Sequence, residues 1–201
     1  NGLRARVFHG ARISSAKGAR SIKAVEVIDS SGETHTVACD LLAMSNGWEP
    51  VLHLASHLHH RPVWDEAREI FVPKDLPSYL SVAGAAAGYF TLAQALTDGS
   101  RLGADAAEAC GFQATPDAFQ SDAENASGTP IWETAGRGGK AFIDFQNDVT
   151  ESDIALAHQE GYRAVEHLKR YTTLGMATDQ GKTSNLSGLA IMAEQTGKTI
   201  P

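Results

Sequence analysis

Four histidines crowd one short stretch: His53, His57, His59 and His60. Imidazoles are zinc ligands, and the four-residue spacing of His53 and His57 puts both on one face of a helix. Zinc would need a third protein ligand and groups behind the ligands to orient them. A surface loop that contacts a partner is the simpler reading, and no metal site is assigned. The second chemical feature is Gly84-Ala85-Ala86-Ala87-Gly88, where an apolar segment runs into a helical one. N–H groups at a helix start carry partial positive charge, and small side chains let a pyrophosphate or ribose approach the backbone. The spacing Gly-x-Gly-x-x-Gly is absent, so a packed Ala-rich helix start competes with a dinucleotide turn. Trp48, beside Gly47, either lines a nucleotide pocket or fills a core. Gly136-Arg137-Gly138-Gly139 reads as a flexible joint rather than a phosphate loop. Arg163, Lys169 and Arg170 near Glu166 read as a solvated helix face or a subunit contact. Ser, His and Asp are abundant, but no nucleophile-elbow spacing occurs, so no catalytic residue is assigned.

The composition bounds what these residues serve. The 201 residues carry 17 Lys+Arg against 24 Asp+Glu, a net charge of −7. An acidic balance argues against nucleic acid as a partner. No apolar run approaches the roughly 20 residues of a membrane span, and no signal peptide is read at the start, so no membrane partner is expected. At 21.3 kDa a compact fold would bury roughly 70% of the unfolded surface. The two cysteines, Cys39 and Cys110, form no disulfide framework, which fits a reducing, cytoplasmic setting. Two thiols cannot hold an iron–sulfur cluster.

Periodicity sketches the elements that must position the site. Residues 3–8 and 22–29 alternate apolar and polar as strands do, Ser30-Ser31-Gly32 is a turn, and 34–38 returns as a strand. Leu41–Ser45 is a short apolar run expected to be a strand buried on both faces, ended by Asn46-Gly47-Trp48-Glu49-Pro50. Residues 51–59 suggest one helix, and Pro62, Pro73 and Pro77 punctuate loop. Residues 79–83 read as a strand. A helix is expected from 88 to 96 and again from 102 to 110, with a break at Asp98-Gly99-Ser100. Residues 112–139 have little periodicity and read as a linker. Beyond them come a strand at 141–145, a capping-box start at Thr150 with Asp153, and helices to Gly161, over 164–171 and over 186–195.

Particular stretches carry a resemblance. They are Cys39-Asp40-Leu41-Leu42, Gly47-Trp48-Glu49-Pro50-Val51, 140–150, His158–Gly161, 166–176, 178–185 and 188–194. Together they resemble the alpha subunit of heterotetrameric sarcosine oxidase. The resemblance implies an internal piece of a longer chain: 1–111 the C-terminal part of a nucleotide-binding region, 112–139 a linker, 140–197 a small helical middle domain, and 198–201 the start of a further domain. The absence of an initiator Met and the ending on Gly197–Pro201 agree with that expectation. The implied fold is mixed α+β and α/β: the remnant of a two-dinucleotide-domain, disulfide-reductase-like fold, followed by a domain resembling a cluster-free [2Fe–2S] BFD-like domain.

The resemblance also implies function. The parent would demethylate sarcosine oxidatively to glycine, with oxygen as acceptor and folate taking the one-carbon unit. This part would frame an NAD site and pack against beta, gamma and delta subunits. FAD and FMN would sit mainly with the beta subunit, and tetrahydrofolate at the missing C-terminal domain. Asn46, Gly47, Gly84, Ala85 and Ala86 are the implied nucleotide contacts. Disulfide-reductase-type flavoproteins have Val-Ala-Gly-Asp where this chain has Val82-Ala83-Gly84-Ala85. Loss of that Asp argues against FAD held in the usual way. Related dehydrogenase subunits carry a [2Fe–2S] domain whose four Cys positions fall here on Asp144, Gln146, Asp179 and Ser184. No cluster is expected, since thiolates hold it. Two rival readings stand beside this one: an electron-transfer [2Fe–2S] module, and a purely structural interaction module.

Overall fold

A computed structural model describes residues 5–45, 47–57, 59–124 and 139–200. The chain divides into two compact units, Asn1–Ser45 with Ile131–Ile200, and Asn46–Pro130.

In the first unit, β1 (Arg12–Lys17), β2 (Ala24–Ile28) and β3 (Thr34–Ala38) form an antiparallel sheet in the order β1-β2-β3. The expected strands at 22–29 and 34–38 are β2 and β3. The first strand is displaced: residues 5–8 are irregular and β1 begins at Arg12, with residues 3 and 4 outside the described set. Alternation misplaced it because Arg12–Lys17 does not alternate: Ser14 and Ser15 are both polar, and the pairing with β2 shifts register between Ile13 and Ser15. The β2–β3 turn is built on Asp29. Its Oδ1 accepts the Ser31 and Glu33 N–H groups and the Ser31 hydroxyl, and its Oδ2 meets His35 Nε2 at 2.7 Å. Leu41–Ser45 forms no strand. Leu41 is 77% exposed and Met44 76%. A strand buried on both faces needs neighbours to pair and cover it, and none of the described residues pairs with this run.

The same unit holds the helical region. β6 (Phe142–Asp144) pairs antiparallel with β7 (Val149–Thr150), and α3 (Glu151–Gln159), α4 (Val165–Thr172) and α5 (Asn185–Thr196) follow. Thr150 caps α3 as its sequence predicts: its hydroxyl accepts the Asp153 N–H and the Asp153 carboxylate accepts the Thr150 N–H. Gly161, at φ 96°, follows the end of α3. The core is a single cluster of Ile143, Val149, Ile154, Ala157, Leu168, Leu174, Ile191 and Met192. Gly188 is buried in α5 because Leu174 takes the place of a side chain there: a Cβ would lie 2.5 Å from Leu174 Cδ2.

The second unit holds α1 (His53–Ser56), a β4–β5 hairpin (Val63–Asp65, Ile70–Val72), a 3-10 turn (Gly84–Ala87) and α2 (Leu92–Ala109). Three expectations are corrected here. The helix at 51–59 is a single turn. The strand at 79–83 is irregular chain, since no described residue pairs with it. The helix over 88–110 starts later, at Leu92, and continues without a break. Asp98-Gly99-Ser100 does not interrupt it because the Asp98 carboxylate bonds to Gly84 rather than to its own helix backbone. The prolines hid β4 and β5.

Residues 112–124, the described part of the expected linker, double back along α2. The Phe112 N–H bonds the Ala107 carbonyl, the Asp117 N–H bonds the Ser100 hydroxyl at 2.7 Å, and Glu124 Oε2 accepts the Leu92 N–H at 2.7 Å. Between this strap and the helix lies an open groove of about 450 Å³ against Ala95, Gly99, Ser100 and Gly103.

Candidate nucleotide site

The 84–88 turn is defined by its two glycines. Gly84 (φ 59°) and Gly88 (φ 85°) adopt left-handed conformations that side chains disfavour, and the Gly88 N–H bonds the Ala85 carbonyl at 3.1 Å. Gly84, Ala85 and Ala86 therefore share one tight turn. Its first N–H is taken: Gly84 N donates to Asp98 Oδ2 at 3.1 Å. Asp98 is only 8% exposed, and Arg101 Nη2 holds its other oxygen at 2.9 Å. The start of α2 is likewise filled by a Thr91–Gln94 capping box and by Glu124.

The other end of the turn faces a cation. Arg68, in the β4–β5 turn, stands at Gly88: a Cβ there would lie 2.9 Å from Arg68 Nη1 and 2.9 Å from Ile70 Cδ1. Asp65 fixes this arginine. Its Oδ1 accepts the Ala67 and Arg68 N–H groups and its Oδ2 accepts Arg68 Nε at 2.8 Å. The Arg68 guanidinium holds the Asp65 carboxyl below the usual carboxylate range. Sequence reading missed Asp98 and Arg68, because each acts across a fold contact that no local spacing records. Gly47 (φ 91°) lies in a loop with open space around it, and Trp48 is exposed. Asn46 lies outside the described residues, as do 125–138, which include Gly136, Arg137 and Gly138.

The four positions aligned with cluster ligands are placed as follows. Asp144 is 2% exposed. Its Oδ1 accepts the Gln146 and Asn147 N–H groups and its Oδ2 accepts the Gly175 N–H at 2.8 Å. Gln146 is exposed. Asp179 closes its own turn, accepting the Thr183 hydroxyl and the N–H groups of Gly181 and Thr183; the hydroxyl leads in holding its carboxyl low. Ser184 is 1% exposed, and its hydroxyl has no partner among the described residues. Asn185 fills the space between Gly175 and Gly181: a Cβ on either would lie within 2.3 Å of its carboxamide.

The histidine cluster spreads out. His53 is on α1, His57 ends it, and His59 and His60 follow in loop. Among the described residues, the three side chains whose ligand atoms gather within 4.8 Å are Asp29, Glu33 and His35. Arg6 Nη2 lies 3.4 Å from His35 Nδ1. On the other side, His35 Nε2 faces Asp29 Oδ2 at 2.7 Å. Among the described residues, no helix is long and apolar enough to cross a membrane.

A mixed α/β chain with a small-residue turn and a compact helical domain is the class these features define. Residues 138–201 match the family model described as the sarcosine oxidase A3 domain. The chain is similar to sarcosine oxidase alpha subunits along most of its length. It is 41% identical over 197 residues to sarcosine oxidase subunit alpha of Rhizobium meliloti (strain 1021), covering 96% of this chain and 20% of that one. It is 37% identical over 178 residues to the corresponding subunit of Corynebacterium sp. (strain P-1), covering 85% of this chain and 18% of that one. The chain thus spans about a fifth of the length of these curated relatives. Among solved structures it resembles L-proline dehydrogenase from P. horikoshii, with a TM-score of 0.68 and 20% identity, over 94% of this chain and 40% of that one. That likeness shows the fold alone.

Proposed function

We propose that this chain is a segment of the alpha subunit of a sarcosine oxidase, an oxidoreductase that converts sarcosine to glycine in a folate-linked reaction in the cytoplasm. The observation that carries this is similarity to sarcosine oxidase alpha subunits along 96% of the chain. In this reading, 1–111 is the C-terminal part of an NAD-binding region, 112–139 a linker, 140–197 the middle helical domain, and 198–201 the opening of a further domain. The segment frames the nucleotide and packs against beta, gamma and delta subunits. FAD and FMN belong mainly to the beta subunit, and tetrahydrofolate to the further domain. The exposed Leu41 and Met44 suit burial against polypeptide that the longer relatives possess.

The fit to each group differs. A nicotinamide dinucleotide supplies a ring that accepts or gives hydride. Gly84, Ala85, Ala86 and, earlier in the sequence, Asn46 and Gly47 are the residues that would hold it, through close backbone approach. A flavin held in the usual way does not fit, because Ala85 offers a methyl group where an acceptor is needed. A [2Fe–2S] cluster does not fit either. Asp144 and Asp179 are occupied by backbone N–H groups, and Asn185 fills the space between the glycines. This supports a middle domain that keeps a cluster-domain fold without its cluster, over the electron-transfer rival.

A visible spectrum with iron and sulfide assay tests the second point. A colourless, iron-free chain agrees with it, and a cluster band with matching iron reverses it. NAD titration of the full-length subunit in its complex tests the first point. Binding there, with little or none to the 201-residue chain, is the expected result. A complex that ignores NAD would leave the structural interaction module.

A further inference from the structure

We propose that the face of α3 and α4 around the Tyr162–Tyr171 stack docks an arginine-bearing segment of a partner subunit. The proposal rests on the reading of this chain as part of a multi-subunit oxidase. It adds the surface and the chemistry of what covers it.

Helical spacing gathers the groups. Asp153, Leu156 and Glu160 fall at i, i+3 and i+7, along one face of α3 and its C-terminal end. The left-handed Gly161 then turns the chain, and the Tyr162 N–H returns to the Ala157 carbonyl at 3.0 Å. Tyr162 thereby meets Tyr171 of α4, the two rings stacked with centroids 4.6 Å apart. On the other side of Tyr171 is an open cavity of about 530 Å³, lined in part by Asp148 of the β6–β7 turn and by Asp153 and Leu156. Leu156, Tyr162 and Tyr171 are exposed. Aromatic residues left open beside a cavity are the usual anchors of protein interfaces.

The charge around the patch selects the occupant. Asp148 is exposed, and its carboxylate has no ion pair or hydrogen bond among the described residues. The Glu160 carboxylate accepts the Tyr171 hydroxyl, which pushes that phenol up and keeps it protonated. Asp153 commits Oδ2 to the α3 cap. No Lys or Arg lines the cavity. Lys140 acts on Asp153 and stands over the Phe142 ring. Lys169 and Arg170 lie about 200° and 100° around α4 from Tyr171. Neither they nor Arg163 forms an ion pair among the described residues. A guanidinium suits both parts of this surface: its plane stacks on a tyrosine, and its fork of N–H donors meets a carboxylate. Lysine would bring the charge without the plane. On a chain of net charge −7, such a face attracts a cationic partner and repels an acidic one.

Hydroxyl-radical footprinting of Leu156, Tyr162 and Tyr171 tests the surface in three samples: the 201-residue chain, the full-length subunit alone, and the assembled complex. The three side chains should react in the first two and be protected severalfold in the third. Protection already present in the full-length subunit alone means that its own chain or a second copy covers the patch, and that overturns the proposal. Reactivity in all three overturns it too and leaves the oxidase reading standing. A full-length subunit that associates with no partner overturns both. Protection of the tyrosines in the 201-residue chain by micromolar arginine methyl ester would mark a small-molecule site and overturn the docking surface. The charge is tested with the Asp148→Asn/Glu160→Gln double variant, since asparagine tolerates the left-handed backbone of residue 148. It should bind the other subunits about tenfold more weakly in analytical ultracentrifugation, with a weaker salt dependence. Unchanged affinity and salt dependence overturn the assignment of an arginine. Should the double variant fail to fold, as judged by circular dichroism of the free subunit, Tyr162→Ala decides: weakened association supports the surface, and wild-type affinity overturns it.

Discussion

The helical region and the region around the 84–88 turn are held together by different means. In the helical region eight apolar side chains form one cluster, and Ile154, Ala157 and Leu168 have no exposure at all. Around the turn the buried apolar residues among the described ones are few, Leu52, Ala55, Ile70 and Ala104. Geometry there is set by carboxylates instead: Asp65 on the hairpin, Asp98 on Gly84, Glu124 on Leu92. An apolar core is indifferent to small changes of pH and salt. A set of ionic clamps is not, and it can be re-formed around a charged ligand. The first design should respond mainly to lost volume, the second to lost charge.

Removing core volume should separate the regions most sharply. Leu168→Ala in the helical core should cost about 2–5 kcal/mol, since a fully buried side chain leaves a cavity. Urea denaturation of the 201-residue chain measures it, and a loss below about 1 kcal/mol would mean the core is looser than its burial indicates. Asp144→Ala comes next. It strands the N–H groups of Gln146, Asn147 and Gly175, for a loss of about 2–3 kcal/mol in the same experiment. Asp144→Asn, which keeps an acceptor, should lose clearly less.

Capping provides a matched pair. Thr150→Ala and Thr91→Ala each remove a capping-box hydroxyl and should each cost about 1 kcal/mol. Hydrogen exchange will report them differently if the regions unfold separately. Thr150→Ala should speed exchange throughout α3 to α5, and Thr91→Ala only in α2. Identical exchange patterns would mean that both regions open together.

The smallest effect is an acid one. The Thr150 hydroxyl and N–H hold the Asp153 carboxyl below its usual value, and the Ser31 hydroxyl, with His35, does the same for Asp29. A depressed carboxyl stabilises the fold above its unfolded value, near 3.9, and that contribution disappears as pH falls through the folded value. Stability should therefore be level from pH 7 to about 5 and fall below about 4. Asp153→Asn should lower the neutral plateau toward the acid level and so flatten part of that acid limb. A limb identical in slope to the wild type would show that Asp153 titrates as a free carboxyl.

Local chemistry was legible in the residues, and long-range pairing was not. The Thr150–Asp153 box, Gly161 after α3 and the β2–β3 strands follow from spacing of a few residues, and each forms where the spacing puts it. The failures share a cause. Leu41–Ser45 and 79–83 have strand composition, but composition cannot supply the neighbour that makes a strand. β4 and β5 are three residues each, too short for periodicity and flanked by prolines. At the candidate site the small-residue turn could be read directly. Its charged surroundings could not, since Arg68 and Asp98 reach it from other elements.

The return of residues 112–124 along α2 has an evolutionary reading. The N–H of Leu92, at the start of the helix, lies 2.7 Å from the carboxylate of Glu124, the last described residue of the strap. Residues 92 and 124 are therefore neighbours in space, and the chain between them is a loop closed on itself. A change of length at the Gly111 bend, between the helix and the strap, would be taken up inside that loop, provided that the Leu92–Glu124 bond re-forms.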